Sequence, residues 1–176
     1  MLVLLKIKAM FGILDNSKIE KVIKENVIGR LGCYGDGKMY ILPISYAYDG
    51  EHLYAHSLEG LKISIMRKNP TVCFQVDTMK DMADWESVLL WGTFEELTNE
   101  KDINVAVQSL MNRKLPLVSS ETVKLSPEWP FHTGDYSEIS GIFFRINITE
   151  RTGRYEELEV KGGEIQSKKF TPGKNL

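Results

Sequence analysis

Two Asp-Gly turns, Asp36-Gly37 and Asp49-Gly50, bracket a run rich in aromatic and β-branched residues from Met39 to Tyr48. Asp-Gly readily supplies the positive φ that tight hairpins require. Gly29–Tyr34 therefore reads as one strand, Met39–Tyr48 as a second and Glu51–His56 as a third. Two such hairpins in succession predict an antiparallel meander. Thr71–Asp77, Glu86–Glu95 and Ile139–Thr149 read as further strands, giving at least six. Consecutive hairpins in one domain point to a closed or nearly closed barrel, which removes exposed sheet edges.

Helices punctuate this pattern. Asp15 or Asn16 can cap a helix in which Ile19, Val22 and Ile23 fall on one stripe, and Ser17 with Glu20 has capping-box spacing. Leu61–Lys68 reads as a short helix stopped by Asn69-Pro70. Asn99–Met111 carries Ile103, Val107, Leu110 and Met111 on one face. Met79–Trp85 reads as a polar, irregular connection. Residues 112–138 hold Pro116, Pro127 and Pro130 and form a long connection, a kind that often carries function. The charged, Gly-rich tail from Thr152 is expected to be partly disordered. Residues 1–176 read as a single domain with a core of about 15–155 and a C-terminal tail over 156–176.

Composition excludes several classes of function. A net charge of −2 and a pI near 6.0 give no field for nucleic acid or anionic lipid. Arg67-Lys68 and Lys168-Lys169 read as solvated surface. Cys33 and Cys73 lie 40 residues apart in apolar stretches without a C-x-x-C, as expected of buried thiols in a reducing compartment. Met1–Ile7 is too short and too interrupted by Lys6 and Lys8 for a signal peptide, and Met10 is an alternative start. No run of ~18 apolar residues marks a membrane span, so the cytoplasm is the expected location. His52 and His56 lie ~13 Å apart along a strand and cannot share a metal; His132 has no companion at ligand spacing. There is no G-x-S-x-G, G-x-G-x-x-G or P-loop motif.

The junction Leu53–Ser64 is chemically richer. A strand ends in a small polar turn and enters a helix whose first turn exposes unpaired N–H groups and a partial positive charge. Ser57 and Ser64 add hydroxyls and Lys62 a full charge, which together suit a phosphate; an ordinary capped helix with a surface lysine is the alternative. His56 closes the strand as a hydrogen-bonding residue or a proton donor. Trp91 reads as core. Trp129 and Phe131, in the Pro-rich connection, are candidates to wall off a ligand. Arg145 and Arg154 read as barrel-rim charges, and Glu95-Glu96 and Glu156-Glu157 as solvated pairs.

Taken in order, Tyr40-Ile-Leu-Pro-Ile-Ser-Tyr46, Asp49-Gly50, Leu53-Tyr-Ala-His-Ser57, Gly60-Leu-Lys62, Asn69-Pro-Thr-Val-Cys-Phe-Gln-Val76 and Trp85-Glu-Ser-Val-Leu-Leu-Trp-Gly92 resemble the pyridoxamine phosphate oxidase-like FMN-binding split-barrel family, in its nitroimidazole-resistance branch. Phe144–Arg154 also suits that branch. The resemblance implies a mainly β fold, an antiparallel Greek-key split β-barrel with a few short helices. It implies that the backbone of Leu42, Pro43, Ile44 and Ser45 runs beside the isoalloxazine of FMN. Tyr54, Ala55, His56 and Ser57 would flank the flavin, Lys62 would hold its phosphate and Ser87 would face it. A homodimer with flavin at the interface is implied, with Trp129 and Phe131 as candidate cover. The reaction implied is reduction of nitro-type or other small electron-poor substrates, with His56 as the candidate catalytic residue; non-catalytic flavin binding, redox sensing and, more weakly, haem binding are the alternatives. The true oxidases carry a C-terminal Trp and Arg-rich segment that grips pyridoxal phosphate. Gly162–Gly173 has no such pattern, which argues against that reaction, and Leu61 stands where many members have a second basic residue.

Overall fold

The computed structural model describes residues 6–113 and 140–161. In chain order the elements are β1 (Lys6–Ile13), α1 (Asn16–Glu25), β2 (Ile28–Gly35), β3 (Lys38–Ser45), β4 (Ala47–Tyr48), β5 (His52–Ser57), α2 (Leu61–Lys68), β6 (Thr71–Asp81), β7 (Asp84–Glu96), α3 (Glu100–Asn112) and β8 (Ile142–Lys161). All eight strands belong to one antiparallel sheet ordered β3-β2-β6-β7-β8-β5-β4, with β1 on the distal half of β8. The mainly β barrel expected from the hairpins is present. Among the described residues no helix is long and apolar enough to cross a membrane, and no cluster of His, Cys, Asp and Glu could hold a metal.

The barrel closes at a place the sequence reads as one strand. Met39–Tyr48 is two strands, β3 and β4, at opposite ends of the hydrogen-bonding order though adjacent in the chain. Tyr46 makes the break. Its N–H donates to the Val27 carbonyl at 3.0 Å, its hydroxyl donates to the Ile23 carbonyl at 2.7 Å, and its ring meets Phe74 edge-on at 5.1 Å. Turning this large side chain inward swings the chain from one edge of the sheet to the other, so β3 comes into contact with β5 across the seam.

Two further expectations are corrected. Met79–Trp85 is not an irregular connection: β6 and β7 run through it as a long hairpin with Met82-Ala83 at the tip. The Asp81 carboxylate accepts the Ala83 N–H at 2.8 Å and Lys80 pairs with Asp84 at 2.8 Å, so polar residues build the turn rather than break the ladder. The last strand does not end at Thr149: β8 continues to Lys161, because Arg154–Lys161 pairs with Ile13–Lys6, and the tail beyond it lies outside the described residues. At α1, Asp15 is the cap, its side chain accepting the Lys18 N–H at 2.9 Å. Glu20 is drawn instead to Tyr48, Lys24 and Arg151.

The core has two parts. Alternate residues of β2, β5, β6, β7 and β8 fill the barrel with α1 and α2, among them Leu31, Leu53, Ala55, Ile63, Phe74, Val88 and Phe144. A second cluster lies under α3, where Ala106, Val107 and Leu110 cover Ala47, Tyr54 and Phe143. Of the α3 stripe read from the sequence, Val107 and Leu110 are buried and Ile103 packs against them, whereas Met111 is exposed.

Candidate functional site

Residues 42–57 divide by strand parity. On β3, Ile44 points into the core, Leu42 packs against it from a half-buried position, and Pro43 is exposed. Among the described residues the strand bonds only to β2, which leaves the backbone groups along its other edge available to a ligand. Ser45 is half-buried; its hydroxyl donates to the Val27 carbonyl at 3.1 Å and accepts from Arg113 Nη1 at 2.6 Å. On β5, Ala55 belongs to the barrel core, whereas Tyr54 and His56 face the α3 side. The Tyr54 phenol donates to Asp49 at 2.9 Å, and burial together with that carboxylate pushes its pKa up to about 12.

His56 is held more closely than a mobile acid-base group would be. Its ring lies 4.6 Å from that of Phe143, and Nε2 is 3.1 Å from the Ser140 carbonyl. A carbonyl can only accept, so Nε2 carries the proton. Burial pulls the imidazole below its usual pKa, the Ser140 bond opposing it, which keeps the ring neutral at pH 7. A side chain on Gly141 would collide with this ring, and Gly141 itself has φ +121°, so the residue must be glycine on both counts.

The phosphate turn follows. The Ser57 hydroxyl donates to the Leu58 carbonyl at 2.8 Å and so is directed away from the helix start. Gly60 is the cap of α2 and offers no side-chain acceptor; Ser64 N–H is bonded back to Gly60, so the first-turn amides ahead of it remain open. Lys62 is half-buried, and among the described residues it has no ion pair, unlike Arg67 and Lys68 further along the helix. Arg67 bonds Glu96 at 2.7 and 3.0 Å and Glu59 at 2.9 Å, so it is engaged rather than freely solvated.

Ser87 stands apart. With Arg30, Gln75, Asp77, Met79 and Trp85 it lines a cleft of about 390 Å³ on the outer face of β2, β6 and β7, and its hydroxyl accepts from Gln75 at 3.3 Å. None of the β3 or β5 candidates lines this cleft. Trp91 is half-buried and lies outside both core clusters, against expectation, because Leu90 and Gly92 take the inward positions on β7. Glu95 is not a free solvated carboxylate: Arg145 grips it at 2.8 and 2.7 Å and Asn147 at 2.8 Å, which holds its pKa down. Trp129 and Phe131 lie outside the described residues. Arg113 was not found in the sequence, because a lone arginine at a helix end carries no local signal.

A barrel closed through a kinked strand, with β3 an edge among the described residues, is of the split-barrel class. The profile of the pyridoxamine 5′-phosphate oxidase family matches residues 15–155, and the chain belongs to that family. An uncharacterized protein of Rhizobium meliloti is 31% identical over 81% of this chain and 93% of its own length. Among solved structures, a FAD-binding protein from Mesorhizobium loti is 34% identical, covering 83% of this chain and 98% of its own, with a TM-score of 0.64. A candidate 5-nitroimidazole antibiotic resistance protein from Bacteroides thetaiotaomicron is 18% identical over 92% of this chain and 98% of its own, also with a TM-score of 0.64, a likeness of fold.

Proposed function

We propose that this protein binds a flavin through the isoalloxazine and 5′-phosphate that FMN and FAD share, with FMN the smallest ligand meeting those contacts, and uses it as an oxidoreductase on small electron-poor substrates of the nitro type. The observation that carries this reading is the open start of α2. Its amides have no side-chain cap, a Cβ on Gly60 would meet nothing within 4 Å, and Lys62 has no carboxylate partner among the described residues. This is the donor set a phosphate monoester requires. The open edge of β3 at Leu42–Ser45 supplies backbone donors and acceptors for the polar rim of the ring. Bound flavin supplies reversible transfer of electrons between a reductant and the substrate.

The protein's own groups then have distinct tasks. Lys62 and the α2 amides hold the phosphate. His56, neutral and fixed on Ser140 and Phe143, orders the pocket wall; a proton-donor role is the competing assignment. Gln75, hydrogen-bonded to Ser87, lies in the row that runs through Arg30 to Pro43 on β3, and in this proposal Ser87 completes the site in a homodimer that shares the flavin. The FAD-binding relative at 34% identity favours FAD as the second reading. Both are tested by the spectrum of the purified protein and titration of apoprotein with riboflavin, FMN and FAD. Anaerobic turnover with NADH or NADPH, with and without a nitroimidazole, tests the reaction. A colourless protein whose apo form binds none of the three flavins would refute the proposal.

A further inference from the structure

We propose that the cleft between α1, β4 and α3 is a second site, for a small organic carboxylate with an apolar body, gripped at one end by Arg113. The cleft measures about 970 Å³, near the upper end of the roughly 300–1,000 Å³ usual for small-molecule sites. Val27, Ala47 and Val105 give it an apolar surface, while Asn104 and Asn112 lie along the α3 side. Arg113 touches Ser45 on β3, so the cleft adjoins the edge proposed for the flavin but is lined by other elements.

Arg113 is the unusual group. Nη1 donates to Ser45 Oγ at 2.6 Å and to the Tyr46 carbonyl at 3.2 Å. Nε is buried and has no partner, and among the described residues no carboxylate pairs with this guanidinium. Arg30, Arg67, Arg145 and Arg151 each meet one, and Arg154, which does not, is exposed to solvent. Burial pulls the Arg113 pKa below the ordinary arginine value, as expected of a cation without a counter-charge. Since Nη1 is occupied and Nε is shut off from the cleft by burial, the group left for a ligand is Nη2, which can donate a charge-assisted hydrogen bond to a carboxylate oxygen.

Charge around the cleft selects a monoanion. Lys24 is paired with Glu20 at 3.1 Å, which leaves Lys101 and Arg113 against Asp49 and Glu100 along the cleft, with Arg113 a cation that meets no carboxylate among the described residues. Asp49 cannot turn to Arg113, because its oxygens already accept the Glu51 and His52 amides and the Tyr54 hydroxyl. A dianionic phosphate would be left with uncompensated charge near these carboxylates; a single carboxylate matches the one guanidinium of the cleft, which has no counter-charge. The apolar surface then favours an aromatic or aliphatic acid over acetate.

Calorimetric titration of the full-length protein with benzoate, and with neutral benzamide as its isostere, tests the site. Benzoate is expected to bind at least about ten-fold more tightly than benzamide, the loss expected when a charge-assisted contact is missing. Arg113→Gln should weaken benzoate by a similar factor. Val105→Trp, which fills the cleft from an exposed helix position without touching Arg113, should also abolish binding at an unchanged melting temperature. The Trp variant decides the matter if Arg113→Gln does not fold. No heat with millimolar benzoate, equal affinity for benzamide, or undiminished binding in Val105→Trp would each overturn the proposal.

Discussion

Lys62 and His56 show what single residues in the strand-to-helix junction contribute. Lys62→Ala removes the full charge but leaves the α2 amides in place. It should weaken FMN by about 1.5–3 kcal/mol, roughly 10- to 100-fold, and leave riboflavin unchanged. Parallel titrations of the two ligands check this, and equal losses would exclude a phosphate contact. For His56 the linkage has a definite sign. Its folded pKa lies below the ordinary value of 6.5, so the unfolded chain binds the proton more readily in the window beneath 6.5. The contribution is fully present above pH 6.5 and is lost as pH falls towards the folded pKa. His56→Gln keeps a donor for the Ser140 carbonyl but cannot titrate. The melting-temperature advantage of wild type over this variant should therefore shrink between pH 7.5 and 5.5. A constant difference would mean that His56 is not the titrating group. In its ordering role the Gln variant also keeps its turnover per bound flavin. These residues were legible in the sequence because a strand end, a small turn and a basic helix start are contiguous; the neutral state of His56 was not, since Ser140 and Phe143 lie more than 80 positions away.

Elements built by local turn chemistry were read correctly, and those built by distant partners were not. The Asp36-Gly37 turn has Asp36 at φ 51° and Gly37 at φ 77°, as its composition implies, and α2 spans the residues expected. By contrast, the β3–β4 break depends on Tyr46 finding Val27 and Phe74, and the ordered end of β8 depends on β1; neither partner is visible from local pattern. The β7–β8 ladder has a comparable long-range constraint. Its register shifts between Trp91 and Gly92, and a Cβ at Gly92 would strike the Asn147 backbone and lie 2.9 Å from the Ile146 side chain. Backbone cannot move aside as a flexible side chain would. Gly92→Ala should destabilise the fold by about 1–3 kcal/mol. Gly60→Ala enters open space on extended backbone, φ 169°, and should stay within about 0.5 kcal/mol of wild type. Urea denaturation of both variants checks the contrast, and similar midpoints would show that the β7–β8 bulge relaxes freely.

At the scale of the whole molecule, the described residues of a single chain leave β3 as an open edge with Met39 62% and Ile41 66% exposed, and Ile28 61% exposed on the neighbouring strand. An unpaired edge carrying apolar side chains invites association unless something covers it. The candidate site is divided in the same way. Lys62 is on α2 and does not line the cleft that holds Ser87 and Gln75, which adjoins β3 through Arg30. A two-fold dimer in which one copy's β3 edge approaches the other copy's outer β6–β7 face resolves both features, because a C₂ operator brings each half-site to its complement twice. Light scattering at micromolar concentration should then give about twice the chain mass of 20.1 kDa. Ile41→Lys places a charge in the apolar contact without altering Lys62 or the α2 start. It should shift the mass towards one chain and weaken FMN in parallel, with the loss growing as protein is diluted. A monomeric wild type that holds FMN tightly, or an Ile41→Lys monomer with undiminished affinity, would mean that one barrel suffices and that Ser87 has no part in the site.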